Sequence, residues 1–249
     1  MASALIGGLS GEDICIFDKN PAAYEKYEKA ALSKAENINE AVSYGDVIFL
    51  CVKPQNFDEI LPQIAECPLD GKLIVSIAAG ITLSRIEKAL GEVPVIRTIP
   101  NTPLLIGKGV TGICRNTKVS DKMYSEICRL FSHLGEVINA GEDEINAITA
   151  ATSSAPAYVY LFIKAIADAG RELGINEPNL TDRIADMVIG AATLLKGNEK
   201  SPDELIRMVT SPNGTTERAM KVFTDRDFTG IIAEAMLRCA ERAKELSEA

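Results

Sequence analysis

The chain is 249 residues long, 47% hydrophobic and 24% charged, and its 26 Lys and Arg against 35 Asp and Glu leave a formal charge of -9. That length and composition give a globular protein of one large domain or two smaller ones, and the acidic balance argues against nucleic acid as the main partner. No apolar run reaches the ~18–20 residues of a membrane span, and no basic stretch precedes the N-terminal apolar residues as in a secretory signal. The cysteines at 15, 51, 67, 114, 128 and 239 form no C-x-x-C pair and read as reduced thiols of a cytoplasmic protein. The single histidine, His133 in "LFSHLG", reads as structural, and no metal site is expected.

In chain order, "MASALIGGLS" opens as a helix whose small residues Ala2, Ser3, Ala4, Gly7 and Gly8 suit close packing. From residue 13 to about 140, short β-rich runs alternate with helical stretches. The strands are "DICIF", "DVIFLCV", "KLIVSIA", "VPVIRTI", "VTGICR" and "EVINA", bounded by Gly, Pro or Asp. Between them, "PAAYEKYEKAALSKA", "NINEAVSYG", "FDEILPQIAEC", "TLSRIEKALG" and "SDKMYSEICRLFSHLG" place apolar residues at three- and four-residue spacing. This alternation predicts an α/β, Rossmann-type doubly wound parallel sheet covered on both faces, over residues 1–140.

From about residue 141 the strand signals stop. "DEINAITAATSSAPAYVYLFIKAIADAGRELG" reads as one long helix containing a Pro, followed by helices in "LTDRIADMVIGAATLLKG", "PDELIRMV" and "RDFTGIIAEAMLRCAERAKELSEA". Residues 141–249 are thus predicted to be all-α. Around Met187–Leu195 the helix is apolar on more than one face, which calls for partners on every side. A second subunit would supply them, as would a central place in the protein's own bundle.

A dinucleotide-binding fold begins with a strand, a G-x-G-x-x-G/A turn and a helix. Ala2 fits the third small position of that turn, with Met1 before it. The second strand, "ICIFDKNP", ends in Asp18, near the expected place of a ribose-binding acid. On this alignment the chain starts inside the glycine-rich turn, after the first strand. Losing about four buried aliphatic side chains would forfeit roughly 6–12 kcal/mol, against a typical net stability of ~5–15 kcal/mol. The expectation is therefore that the sequence lacks about ten N-terminal residues, and that this length by itself binds cofactor poorly.

Five stretches together resemble pyrroline-5-carboxylate reductase, the last enzyme of proline biosynthesis. They are "VKPQ" (Val52–Gln55), "VSIAAGI" (Val75–Ile81), "RTIPNTP" (Arg97–Pro103), "TAATSSAPAYVYLFIKAIADAG" (Thr149–Gly170) and "VTSPNGTT" (Val209–Thr216). They span essentially the whole chain, in order. Two departures stand out: Thr152-Ser153-Ser154-Ala155-Pro156 where the family favours S-G-S-G-P, and Asn213 at the first Gly of its SPGGTT loop. Asn tolerates a left-handed backbone better than most residues.

The resemblance implies reduction of 1-pyrroline-5-carboxylate to L-proline by NAD(P)H. The substrate loop would be Ser211, Gly214, Thr215 and Thr216, with the Thr216 hydroxyl reaching the ring nitrogen as the catalytic orienting group. Glu142 matches a family position that contributes to substrate binding. Met1, Ala2, Asp18, Lys19, Asn20, Val52, Lys53, Pro54, Ile77, Ala78, Ala79 and Asn101 would line the cofactor, Asn101 as a brace in the "PNTP" turn. Asp18 suits a ribose 2'-hydroxyl and so NAD, whereas Lys19 and Asn20 suit a 2'-phosphate; the family's preference tips the expectation to NADP. It also implies a homodimer through the C-terminal helices, sometimes gathered into a ring of dimers. Two alternatives stay open: a related imine or β-hydroxyacid reductase, against which "SPNGTT" argues, and an inactive remnant that keeps only the helical dimer.

Overall fold

The computed structural model describes residues 1–8, 11–27 and 32–248. The chain divides into two compact units, Met1–Ser154 with Leu237–Ala249, and Ala155–Met236. The division does not fall at residue 140, where the strand signals stop. Residues 145–153 pack instead on the last-but-one strand of the sheet, and Leu237–Ala249, the later part of the last helix, belongs to the first unit.

The first unit begins with α1 (Ala2–Gly8). Ala4 and Leu5 are buried in it, and Gly8 passes so close to Leu134 that a Cβ there would lie 2.0 Å from Leu134 Cδ2. Of the small residues of the opening stretch Gly8 serves this contact, whereas Gly7 has open space around it; Leu9 and Ser10 lie outside the described residues. Next come β1 (Cys15–Ile16), a 3₁₀ turn (Pro21–Tyr27) and β2 (Ser33–Lys34), and the two strands pair in parallel. A helix over 21–35 is therefore corrected to a 3₁₀ turn and a strand, with residues 28–31 outside the described part. Side chains direct the change: Asn20 Oδ1 accepts from Ala22 N, and Asp18 N donates to the Tyr24 hydroxyl. Such local bonds compete with the helical ladder.

The main sheet has five strands in the order β3 (Val47–Leu50), β4 (Leu73–Ser76), β5 (Val95–Ile99), β6 (Gly109–Arg115) and β7 (Gly135–Asn139). Helices α2 (Ile38–Tyr44), α3 (Phe57–Ala65), α4 (Leu83–Leu90) and α5 (Asp121–Ser132) lie along the chain between them. All pairings are parallel except β5–β6. The strands of the predicted parallel sheet are thus one reversal short of uniform. Residues 100–108, built around the 3₁₀ turn Thr102–Ile106, are all that join β5 to β6, too short for the crossover that a parallel neighbour requires.

Strand residues alternate between two cores. Ile74, Val95, Ile99 and Cys114 face a cluster with α2, α3 and α4 residues. Leu73, Val75, Ile96 and Ile113 face a second, with α1 and α5 residues. Burial on both faces explains the unbroken apolar runs "LIV" and "VI".

After β7 come a 3₁₀ turn (Glu142–Glu144), α6 (Ile145–Ile148) and a π-helical turn (Thr149–Ser153). The long helix expected from 143 is interrupted here. Pro156 has no N–H to offer the Thr152 carbonyl, and Asn101 Nδ2 donates to that oxygen instead, at 3.0 Å. Ser154 N reaches back five residues to Thr149 O.

The second unit holds α7 (Ala155–Glu172), α8 (Leu180–Lys196), α9 (Pro202–Val209), α10 (Thr215–Asp225) and the start of α11 (Phe228–Glu248). α7 and α8 pack together, yet Val159, Tyr160, Leu161, Phe162, Met187 and Ile189 stay exposed on them. Among the described residues no helix is long and apolar enough to cross a membrane.

Candidate active site

Several stretches of the first unit that carry predicted residues follow strands. β3 and β4 pair up to Leu50–Ser76, so the segments after them, Cys51–Lys53 and Ile77–Thr82, leave the sheet side by side at its carboxyl edge. Ligands of open α/β sheets bind at such edges. Ile77 N donates to Leu50 O, which ties the two ends together. Val52 is half-buried, Lys53 is exposed, and Pro54 starts a 3₁₀ turn that Lys53 O caps by accepting from Asn56 N. Ala78 is buried and donates its N–H to Ser76 Oγ, while Ile77 and Ala79 are half-buried.

Gly80 closes this turn at φ +76°. Its second constraint is space: a Cβ there would stand 2.7 Å from Leu246 Cβ, on the last turns of α11. No other residue type meets both demands.

Asp18, Lys19 and Asn20 form the exposed turn after β1. Asp18 Oδ1 accepts from Asn20 N at 2.8 Å, and Lys19 pairs with Glu59 on α3. An acceptor and a cation therefore stand in one exposed turn. Met1 is exposed, and its carbonyl accepts from Ala4 and Leu5, with Ala2 as the first residue of α1.

Asn101 is buried with its amide committed on both sides, Nδ2 to Thr152 O and Oδ1 from Val110 N at 2.9 Å. It fastens the turn after β5 to β6 and to the π-helical turn, and Ser153 Oγ adds a bond to Pro100 O at 3.0 Å.

Glu142 does not stand free. Its Oε1 accepts from Leu83 N at 2.7 Å and from Arg97 Nη1 at 3.2 Å. Arg97 opens the "RTIPNTP" stretch that carries the resemblance, but the sequence assigned it no role. In the structure its side chain is 2% exposed, and Nε and Nη2 find no hydrogen-bond partner among the described residues. Burial pushes the neighbouring Cys114 thiol up to about 12, with the Glu142 charge adding to the shift.

The remaining predicted residues lie in the second unit. Ser211-Pro212-Asn213-Gly214 is a tight turn in which Gly214 N donates to Ser211 O at 2.9 Å and Asn213 adopts φ +57°. The left-handed backbone falls at the third residue of the turn, where Gly or Asn is needed. Asn213 N donates to Glu217 Oε2 at 2.9 Å, and Gly214 caps α10. The turn therefore delivers Thr215 and Thr216 into the first turn of an eleven-residue helix, whose unpaired N–H groups favour a carboxylate. Thr216 is half-buried, and Ser211 and Thr215 are exposed.

Two family descriptions match this chain: "NADP oxidoreductase coenzyme F420-dependent" over residues 1–80, and "Pyrroline-5-carboxylate reductase dimerisation" over residues 142–246. A pyrroline-5-carboxylate reductase of Pseudomonas aeruginosa is 36% identical, over 100% of this chain and 94% of its own length. The 1-pyrroline-5-carboxylate reductase of Streptococcus pyogenes superposes with a TM-score of 0.91 at 29% identity, covering 98% of this chain and 95% of that one. That of Coxiella burnetii does so with a TM-score of 0.90 at 30% identity, covering 100% and 95%. With a relative that close over its whole length, the chain belongs to the pyrroline-5-carboxylate reductase family.

Proposed function

We propose that this chain reduces 1-pyrroline-5-carboxylate to L-proline, the last step of proline biosynthesis, with Ser211–Thr216 as the substrate loop. The observation that carries the reading is the full-length family match together with an intact "SPNGTT" turn at the start of α10. A nicotinamide dinucleotide suits the first unit: Cys51–Lys53 and Ile77–Thr82 leave the sheet together at its carboxyl edge, where such ligands bind, and the Asp18–Asn20 turn offers polar groups to a ribose.

When bound, that cofactor supplies the hydride. The protein's share is binding and orientation. The N–H groups of the α10 first turn and the Ser211 and Thr215 hydroxyls hold the substrate carboxylate. The Thr216 hydroxyl orients the ring nitrogen, so Thr216 is a hydrogen-bonding group and not a general base. Val52, Lys53 and Pro54 line the cofactor along one segment, and Ile77, Ala78 and Ala79 along the other. Met1 and Ala2 contribute at the start of α1. Asn101 acts from behind, because its amide is bonded to protein on both sides.

NADPH is the preferred reductant, with Lys19 and Asn20 facing the 2'-phosphate; Lys19 would exchange its Glu59 partner for it. The exposed apolar faces of α7 and α8 support a homodimer through the helical unit. The test is loss of reduced-nicotinamide absorbance with pyrroline-5-carboxylate and either NADPH or NADH. Turnover with NADPH favoured, and a selective fall of the NADPH rate in Lys19→Ala, is the expected result. No turnover with either cofactor refutes the substrate assignment.

A further inference from the structure

Arg97 is the least explained group in the molecule. A cation 2% exposed costs several kcal/mol to desolvate, and among the described residues one carboxylate is its only ionic partner, with two of its nitrogens unmatched by protein atoms. Buried polar groups left in this state call for a reason beyond stability. The same carboxylate, Glu142, also takes the N–H of Leu83, the first residue of α4. The positive end of α4 and the guanidinium therefore converge on one oxygen.

That bond fixes where α4 starts, and the six residues before it are the Ile77–Thr82 turn. From the other direction the turn is held at Gly80 by Leu246. At its base, Ala78 N rests on Ser76 Oγ, and the Thr98 hydroxyl donates to the Ser76 carbonyl. The short segment is thus anchored by residues far away in sequence, and Glu142 with Arg97 forms its only charged anchor among the described residues.

We propose that Arg97 and Glu142 are positioning residues that set the Ile77–Thr82 turn for the nicotinamide cofactor, with Glu142 acting on the cofactor side and not as a substrate contact. This rests on the reading that Ile77–Ala79 line that cofactor. Glu142 acts on the turn through the hydrogen bond it accepts from Leu83 N, which an amide oxygen can still accept and a methyl cannot, although the amide leaves the Arg97 charge uncompensated. Arg97 acts only through Glu142, so the two are not additive.

The experiment is an NADPH fluorescence titration of the full chain, which reads affinity without turnover, run beside steady-state kinetics. Glu142→Ala should raise the NADPH Kd by ~10-fold, since small misplacements of a binding segment carry effects of this size or larger. Its KM for pyrroline-5-carboxylate at saturating NADPH should stay within about twofold of the parent value. Glu142→Gln should restore part of the lost affinity, and Arg97→Met/Glu142→Ala should bind no worse than the weaker single variant. Glu142 is one-third exposed, so its variants remain informative if Arg97→Met fails to fold. The proposal is overturned if Glu142→Ala raises the substrate KM at unchanged NADPH Kd, if Gln is as damaging as Ala, or if neither constant moves. A parent protein that binds NADPH but reduces no pyrroline-5-carboxylate would sink the substrate reading alone and leave this proposal to the Kd series. A parent that binds no NADPH would overturn both.

Discussion

The two units solve the burial problem differently. In the first, Ile74, Val75, Val95 and Ile96 are fully buried, and the sheet is covered on both faces by its own helices. In the second, Leu161 is 67% exposed and Ile189 63%, and the buried apolar positions include little beyond Ala167 and Leu180. One unit closes its core within a single chain; the other keeps apolar faces that only another surface can cover. Stability of the first should therefore be a property of the chain, and that of the second a property of concentration.

The strongest way to break this comparison is to charge the open faces. Leu161→Glu combined with Ile189→Glu is expected to weaken self-association by more than ~1,000-fold, because each buried unpaired carboxylate costs several kcal/mol. Light scattering coupled to size-exclusion chromatography would report a monomer. An unchanged assembly would mean that these faces lie outside the interface. Next in size is a cavity in the closed unit. Ile74→Ala should destabilise by roughly 2–5 kcal/mol, read as a fall in the unfolding midpoint that dilution does not change. If its midpoint drops further on dilution, the two cores are coupled and the comparison is too sharp.

A third change separates the site from the interface within the helical unit. Thr216→Val should lower kcat/KM by about 10–100-fold, the worth of one hydrogen bond to a charged group, about 1.5–3 kcal/mol. Its oligomeric state and unfolding midpoint should match the parent protein. Loss of assembly instead would make Thr216 a packing residue.

The smallest effect belongs to the closed core and appears at alkaline pH. Burial pushes the Cys51 thiol up to about 11 and Cys114 up to about 12, from an ordinary value of 9.0. The folded-state value is raised, so the stabilisation is complete below pH 9. It is lost as pH rises from 9 through 11–12, because the unfolded chain releases these protons first. The unfolding midpoint should decline over that window, and Cys114→Ala should flatten the decline.

Much of this was legible in the sequence, for reasons that are local. Runs such as "LIVS" are apolar on both faces and mark interior strands. "SPNGTT" declares a turn and a helix start, and Asn213 takes the left-handed backbone that its identity allows. Small residues in "MASALIGG" announced a close contact, and Gly8 makes one with Leu134. The failures are instructive too. β2 is two residues long and carries no periodicity. The π-helical turn arises where Pro156 withholds one donor and Asn101, 51 residues from Thr152, supplies another.

The sequence alone determined the alternation of strands and helices, the loop at α10 and the family, because each is written in contiguous residues with their own spacing and turn chemistry. Only the tertiary structure decided that β6 runs against β5, and that Gly80 meets Leu246. It also decided that Glu142 joins the start of α4 to a guanidinium 45 residues away. Such pairings depend on which distant segments meet in the folded chain, and hydrogen bonds and desolvated charges gain their strength only after that meeting has excluded water.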